Sequence, residues 1–223
     1  MDTKKQTINY KLAITGAFGA LTVVLGLTRW GFISLSPAIS LTIMHIPVIL
    51  ATLLAGLFPG MGVGLIFGIF SIYQAAVSPS GALDPLFVNP LVSVLPRMLI
   101  AVVTWGIDTL LKKIPVRKSA EVKDDKETTS AHQPHLSNIV SGIISAFFGS
   151  LSNTVFVIGA LYLLYHTETT SAMNNLGYLA GLGILMPNAL LEAAAATIIT
   201  AAFLTGIFAV SKKKSKLSEE QDK

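Results

Sequence analysis

Two charged residues sit where charge is costly. Arg97 lies inside one long apolar stretch and Glu192 inside another, four residues after Asn188. A charged side chain near a bilayer centre costs ~2.5–3.5 kcal/mol on insertion scales, so it normally faces protein or a water-filled cavity. An arginine in such a place presents a planar fork of donors suited to a carboxylate. A glutamate presents acceptors for hydroxyl and amide groups. The plainer alternative is an internal ion pair in which Arg97 and Glu192 neutralise one another. Further polar residues recur at four-residue steps, which keep side chains on one helical face. Asn89, Ser93 and Arg97 form one such line, continued by Ala101, Thr104 and Asp108. Ser145, Gly149 and Asn153 form a second, with Tyr162 and Tyr165 farther along, and Asn188 and Glu192 form a third. Tyr73 and Gln74 end a fourth segment. Asn153 serves either as glue between helices or as a ligand contact. His45, just before Pro47, reads as a structural hydrogen-bonding group, and Asp108 as the salt-bridge partner of Lys112.

This inventory suits recognition better than catalysis. There is no cysteine, hence no disulfide framework, thiolate metal ligand or thiol nucleophile. No HExxH, GxSxG or GxxxxGK[ST] pattern occurs, and no aspartate pair lies within the apolar segments. Gly62-Val63-Gly64 has a phosphate-loop look, but the third glycine is missing and no strand precedes it. The expectation is a chain that is not an enzyme and holds no metal or cofactor of its own.

The elements that must position these groups are membrane helices. Of 223 residues, 52% are hydrophobic and only 13% charged, about half the usual share of charge. The apolar residues fall in blocks long enough to cross a ~30 Å hydrocarbon core, which excludes an ordinary soluble enzyme. Alternating ten-residue strands of an outer-membrane barrel are absent too. The blocks predict an all-α membrane protein, a bundle of six transmembrane helices in a single domain. The spans lie near 11–28, 41–58, 60–78, 89–111, 137–165 and 178–210, the last with a break before Asn188. Residues 112–136 read as a polar cytoplasmic linker and 211–223 as a basic cytoplasmic tail. The first span has lysines before it but ends in Thr28-Arg29-Trp30, without a cleavage pattern, so it reads as a retained helix. All of the 16 Lys and Arg except Arg29 and Arg97 fall before span 1, between spans 4 and 5, or after span 6. Six spans place them all on one face, and the positive-inside rule makes that face, with both termini, cytoplasmic. The basic clusters therefore speak for topology and anionic lipid, not for nucleic acid.

On this topology the polar groups gather in the outer half of spans 3 to 6, while the inner halves are apolar. That pattern is a cup open to the outside rather than a pore. Gly60, Gly64 and Gly68 form a smooth row for close helix packing. Ala13, Gly16, Ala17 and Ala20 form a similar small-residue row in span 1, either for packing inside the bundle or for docking another membrane subunit. Trp30 and Phe32 after span 1 are either interfacial anchors or a lid over the cup.

Several segments taken in order resemble a known family. They are His45-Ile46-Pro47-Val48-Ile49, Leu54-Ala55-Gly56-Leu57-Phe58-Pro59-Gly60-Met61-Gly62, Pro96-Arg97, Gly149-Ser150-Leu151-Ser152-Asn153-Thr154, and Pro187-Asn188 through Glu192. Together they look like the S component, the substrate-binding membrane subunit, of a group II energy-coupling factor (ECF) vitamin transporter. Asp84-Pro85-Leu86-Phe87-Val88-Asn89-Pro90, Leu95-Pro96-Arg97 and Ser152-Asn153-Thr154 are most similar to the pantothenate type. The resemblance implies a plasma-membrane subunit that captures a vitamin from outside and topples to deliver it. It also implies a transmembrane coupling subunit docked at Ala13 and Ala17, and two cytoplasmic ATPase subunits that use ATP and Mg. For pantothenate, Arg97 would meet the carboxylate, Asn153, Asn188 and Glu192 the amide and hydroxyls, and Tyr73 and Tyr162 would close the sides. Riboflavin, folate or a pyridoxine-like vitamin is the alternative within the family. A stand-alone membrane transporter, channel or enzyme is the alternative outside it.

Overall fold

A computed structural model describes residues 3–28, 31–36, 39–79, 83–113, 136–172 and 177–221. The elements are α1 (Thr3–Leu27), β1 (Phe32–Ser36), β2 (Ile39–Thr42), α2 (Ile46–Ala55), α3 (Leu57–Val77), a 3-10 turn (Asp84–Val88), α4 (Pro90–Lys113), α5 (Leu136–Leu164), α6 (His166–Ala172) and α7 (Tyr178–Gln221). Among the described residues, five helices are long and apolar enough to cross a membrane: Thr7–Leu27, Leu57–Val77, Pro90–Lys113, Asn138–Leu164 and Tyr178–Val210. The sixth apolar helix, α2, is shorter. Residue 30 and nearly all of the 112–136 linker lie outside the described residues.

The segment read as span 2, 41–58, is divided three ways. Ile39–Thr42 pairs with β1 as an antiparallel hairpin, in which Phe32 faces Thr42 and Ser34 faces Ser40. Helix α2 then starts only at Ile46, with Pro47 in its first turn. Proline is tolerated there because the N–H it lacks would have no intrahelical partner. The helix ends at Gly56, whose φ of 95° lies in the region glycine adopts without a Cβ clash, and α3 begins at the next residue. Ten residues of α-helix span only ~15 Å. Such a short helix persists because protein surrounds it: Met44, His45, Val48, Ile49 and Ala51 are all fully buried.

Neighbouring pairs α3/α4, α4/α5 and α5/α7 form the wall of the bundle, with α1 against α3. The α3/α4 contact is backbone to backbone, at the glycine row the spacing singles out. A Cβ on Gly64 would lie 2.6 Å from the Arg97 carbonyl oxygen, and one on Gly68 would lie 2.6 Å from the Val94 Cα. One apolar core joins Phe18, Val48, Ile49, Val63, Phe67 and Ile100. A second, between α4 and α5, joins Val92, Val157, Ile158, Leu161 and Tyr162.

Two further differences concern α7, and α1 distinguishes between two expectations. Helix α7 runs unbroken through Pro187, where a break was expected, and continues as helix to Gln221 through most of the expected tail. Helix α1 packs with Phe18, Gly19, Thr22 and Gly26, which are buried, whereas Ala13, Gly16, Ala17 and Ala20 are exposed. The small-residue row therefore takes no part in packing among the described residues; a Cβ on Gly16 would meet nothing within 4 Å.

Candidate functional site

A cavity of about 510 Å³ lies among α3, α4, α5 and α7, bounded also by Thr42 of the hairpin and by Asp84 and Phe87 of the 3-10 turn. Its size falls in the range of small-molecule sites. Five of the residues singled out in the sequence meet there: Gln74, Arg97, Asn153, Asn188 and Glu192.

Arg97 owes its pose to its neighbour. Pro96 lies inside α4 and has no N–H, so the carbonyl four residues back, that of Val92, loses its helical donor. Arg97 Nη1 donates to that same carbonyl at 2.9 Å. The guanidinium is buried between aromatic rings, 5.4 Å from the Phe67 centroid and 5.1 Å from that of Phe87, and cations over ring faces are attracted by the ring quadrupole. Its Nε has no protein hydrogen-bond partner. One edge of the fork is thus pinned, and the group belongs to the cavity wall.

Glu192 is also buried, and its carboxylate bonds other members of the cavity wall. Oε1 accepts the Thr42 backbone N–H at 2.8 Å and the Asn188 Nδ2 at 3.4 Å. Arg97 and Glu192 therefore make no ion pair with each other; each bonds other groups instead. Asn153 and Asn188, a helix apart, both keep a buried Oδ1 without a protein partner. The cavity lining so combines a fixed cation, the side-chain amides of Gln74, Asn153 and Asn188, the carboxyls of Asp84 and Glu192 and the hydroxyl of Ser71. In this set Arg97 is the one group suited to an anionic end of a small ligand, and the others suit its polar substituents.

Three expected site residues are placed elsewhere. Asn89 caps α4: its Oδ1 accepts the Leu91 N–H at 2.9 Å, and its Nδ2 donates to the Tyr165 hydroxyl at 3.0 Å. Tyr73 is 55% exposed, because one residue of helix turns a side chain by ~100° away from its cavity-lining neighbour Gln74. Tyr162 is buried in the α4/α5 core, edge-on to Tyr178 at 5.7 Å and to His166 at 6.3 Å. Of the two lid candidates, Phe32 opens β1 and Trp30 falls outside the described residues. His45 does not line the cavity; its Nε2 lies 2.9 Å from Ser150 Oγ in the interior. Asp108 bonds Lys112 at 2.6 Å and accepts the Ser141 hydroxyl at 2.9 Å.

The cavity also uses residues that the sequence reading passed over. Phe67, Ser71 and Ser78 share one face of α3 and its end with the already singled-out Gln74, a stripe detectable as steps of four, three and four. Thr42 carried no signal, and Asp84 and Phe87 stood out only within the resemblance over residues 84–90 and not as cavity residues, since their positions depend on the hairpin and the turn.

Residues 10–209 match the family model described as the ECF transporter, substrate-specific component. No curated protein matches the chain.

Proposed function

This chain belongs to the substrate-specific components of ECF transporters, and from that premise we propose that its cavity captures pantothenate for uptake driven by partner subunits. The family is a transporter substrate-binding subunit and not an enzyme family, and its members are membrane proteins with ECF partners and a small-molecule substrate.

The observation that carries the pantothenate reading is the pinned guanidinium of Arg97 lining one cavity together with the amides of Asn153 and Asn188. Pantothenate has a carboxylate at one end and an amide and two hydroxyls along a compact apolar skeleton. Arg97 would hold the carboxylate by charge-assisted hydrogen bonds. Asn153, Asn188 and Gln74 would bond the amide and hydroxyls, and Val157, Ile158 and Leu185 would cover the skeleton. A flat vitamin such as riboflavin needs free aromatic faces for stacking. Phe67 and Phe87 already clasp Arg97, which favours the compact acid.

The topology that goes with this reading has six crossings, with the buried α2 and its adjoining hairpin serving as one of them. Non-lipid-facing backbone at membrane depth is tolerated where protein surrounds it. An even count keeps the basic clusters and both termini cytoplasmic. The exposed row Ala13, Gly16, Ala17 and Ala20 would dock the transmembrane coupling subunit, and two ATPase subunits would use ATP and Mg in the cytoplasm. The membrane is the plasma membrane.

Calorimetry on the purified chain in detergent tests the substrate, with pantothenate, riboflavin, folate, thiamine, biotin and pyridoxine as titrants. One-to-one binding of pantothenate, lost in Arg97→Ala, is the expected result. Binding of another vitamin in its place overturns the pantothenate assignment and leaves the family untouched.

A further inference from the structure

We infer that Glu192 is a positioning residue: it latches the β1–β2 hairpin to α7 through the backbone N–H of Thr42 and so sets access to the cavity. This deepens the preceding reading, since it concerns the wall of the same cavity, but the latch itself does not depend on which ligand enters.

The geometry is specific. Strand neighbours direct their N–H groups alternately toward and away from the partner strand. Ile43 N–H turns back to the Gly31 carbonyl at 3.0 Å, so the Thr42 N–H faces away from β1. There it meets Glu192 Oε1 at 2.8 Å, across 150 residues of sequence. Strand β2 packs on α7, and Thr42 itself lines the cavity. One bond therefore joins the hairpin edge, the cavity wall and the longest helix. Glu192 is 6% exposed, and a buried carboxylate needs such donors to be tolerated. Asn188, one turn earlier, donates to the same Oε1 at 3.4 Å. A ligand amide or hydroxyl that engaged Asn188 would thus act directly on the group that holds the hairpin.

The hairpin edge also provides a selective test. A proline at position 42 removes the N–H without removing a ladder bond to β1, which is where strands accept proline. Glutamine at 192 keeps a side-chain acceptor, whereas alanine does not. The chain contains no cysteine, so Ser40→Cys carries a single nitroxide that reports hairpin mobility by its spectral line shape in lipid nanodiscs without ligand. The latch predicts an immobile label in the parent and in Glu192→Gln, and a mobile one in Glu192→Ala and in Thr42→Pro. Combining Glu192→Ala with Thr42→Pro should add no further mobility. The second readout is pantothenate dissociation, expected to quicken about tenfold in Glu192→Ala and in Thr42→Pro, with Glu192→Gln near the parent.

An immobile label in Glu192→Ala overturns the latch, and so does a double variant looser than either single one. The contrast between Glu192→Ala and Glu192→Gln alone decides the matter if Thr42→Pro does not fold. If the parent binds no pantothenate while the label behaves as expected, the substrate reading fails and the latch stands.

Discussion

Pro96 and Arg97 act as a unit: the proline frees the Val92 carbonyl and the arginine occupies it. Pro96→Ala restores the N–H that competes for that carbonyl, so the guanidinium loses its anchor. Calorimetry should show pantothenate affinity falling about tenfold, on the scale of one hydrogen bond to a charged group, while the helix itself gains a hydrogen bond. Arg97→Lys should fare no better than Arg97→Ala within a factor of a few. An ammonium cannot keep the Val92 carbonyl, both ring faces and a ligand carboxylate at once. Asn89 makes the opposite case, a polar residue of the same helical line whose work is capping. Asn89→Ala should lower stability by ~1 kcal/mol, read by thermal melting, with pantothenate affinity unchanged within about twofold.

Among the elements, α3 and α4 set the depth of the cavity because glycine allows them to touch. The Arg97 carbonyl sits against Gly64, so any side chain there displaces the turn of α4 that carries the guanidinium. Gly64→Ala should destabilise the fold by ~1–3 kcal/mol and weaken pantothenate binding as well. Equal loss from Gly16→Ala, where the space is open, would show that the effect is not one of close approach. The hairpin and α2 form the second decisive pair. Proline in the first turn of α2 and glycine after its last residue confine the helix to ten residues, and the strand before it brings Thr42 to the cavity.

For the whole molecule, the division of surfaces matters most. The small-residue row of α1 lies outside the bundle and the cavity lies on α3, α4, α5 and α7, so assembly and binding should separate. Ala13→Leu combined with Ala17→Leu is expected to abolish co-purification with the coupling subunit while leaving pantothenate affinity within about twofold. Loss of binding in that variant would place the row inside the working bundle instead.

Apolar blocks and the placement of lysines and arginines were enough to read a helical membrane protein, because burial in lipid depends on composition over ~20 residues and on little else. Four-residue spacing likewise pointed to Arg97, Asn153, Asn188 and Glu192, since helical phase is local. The same rule misled for Asn89, whose face is turned toward a cap, and Tyr162, singled out as an aromatic farther along α5 and not by spacing, is turned toward a core rather than the cavity. Phase says which residues share a face, and only packing says what the face meets. The place of Thr42 and Phe87 in the cavity was illegible for a related reason: they reach it through a hairpin and a turn that bring sequence-distant backbone together. Whether Arg97 and Glu192 neutralise each other was likewise open in the sequence. The tertiary structure decided it by offering each a nearer partner, a proline-freed carbonyl for the cation and a strand N–H for the anion.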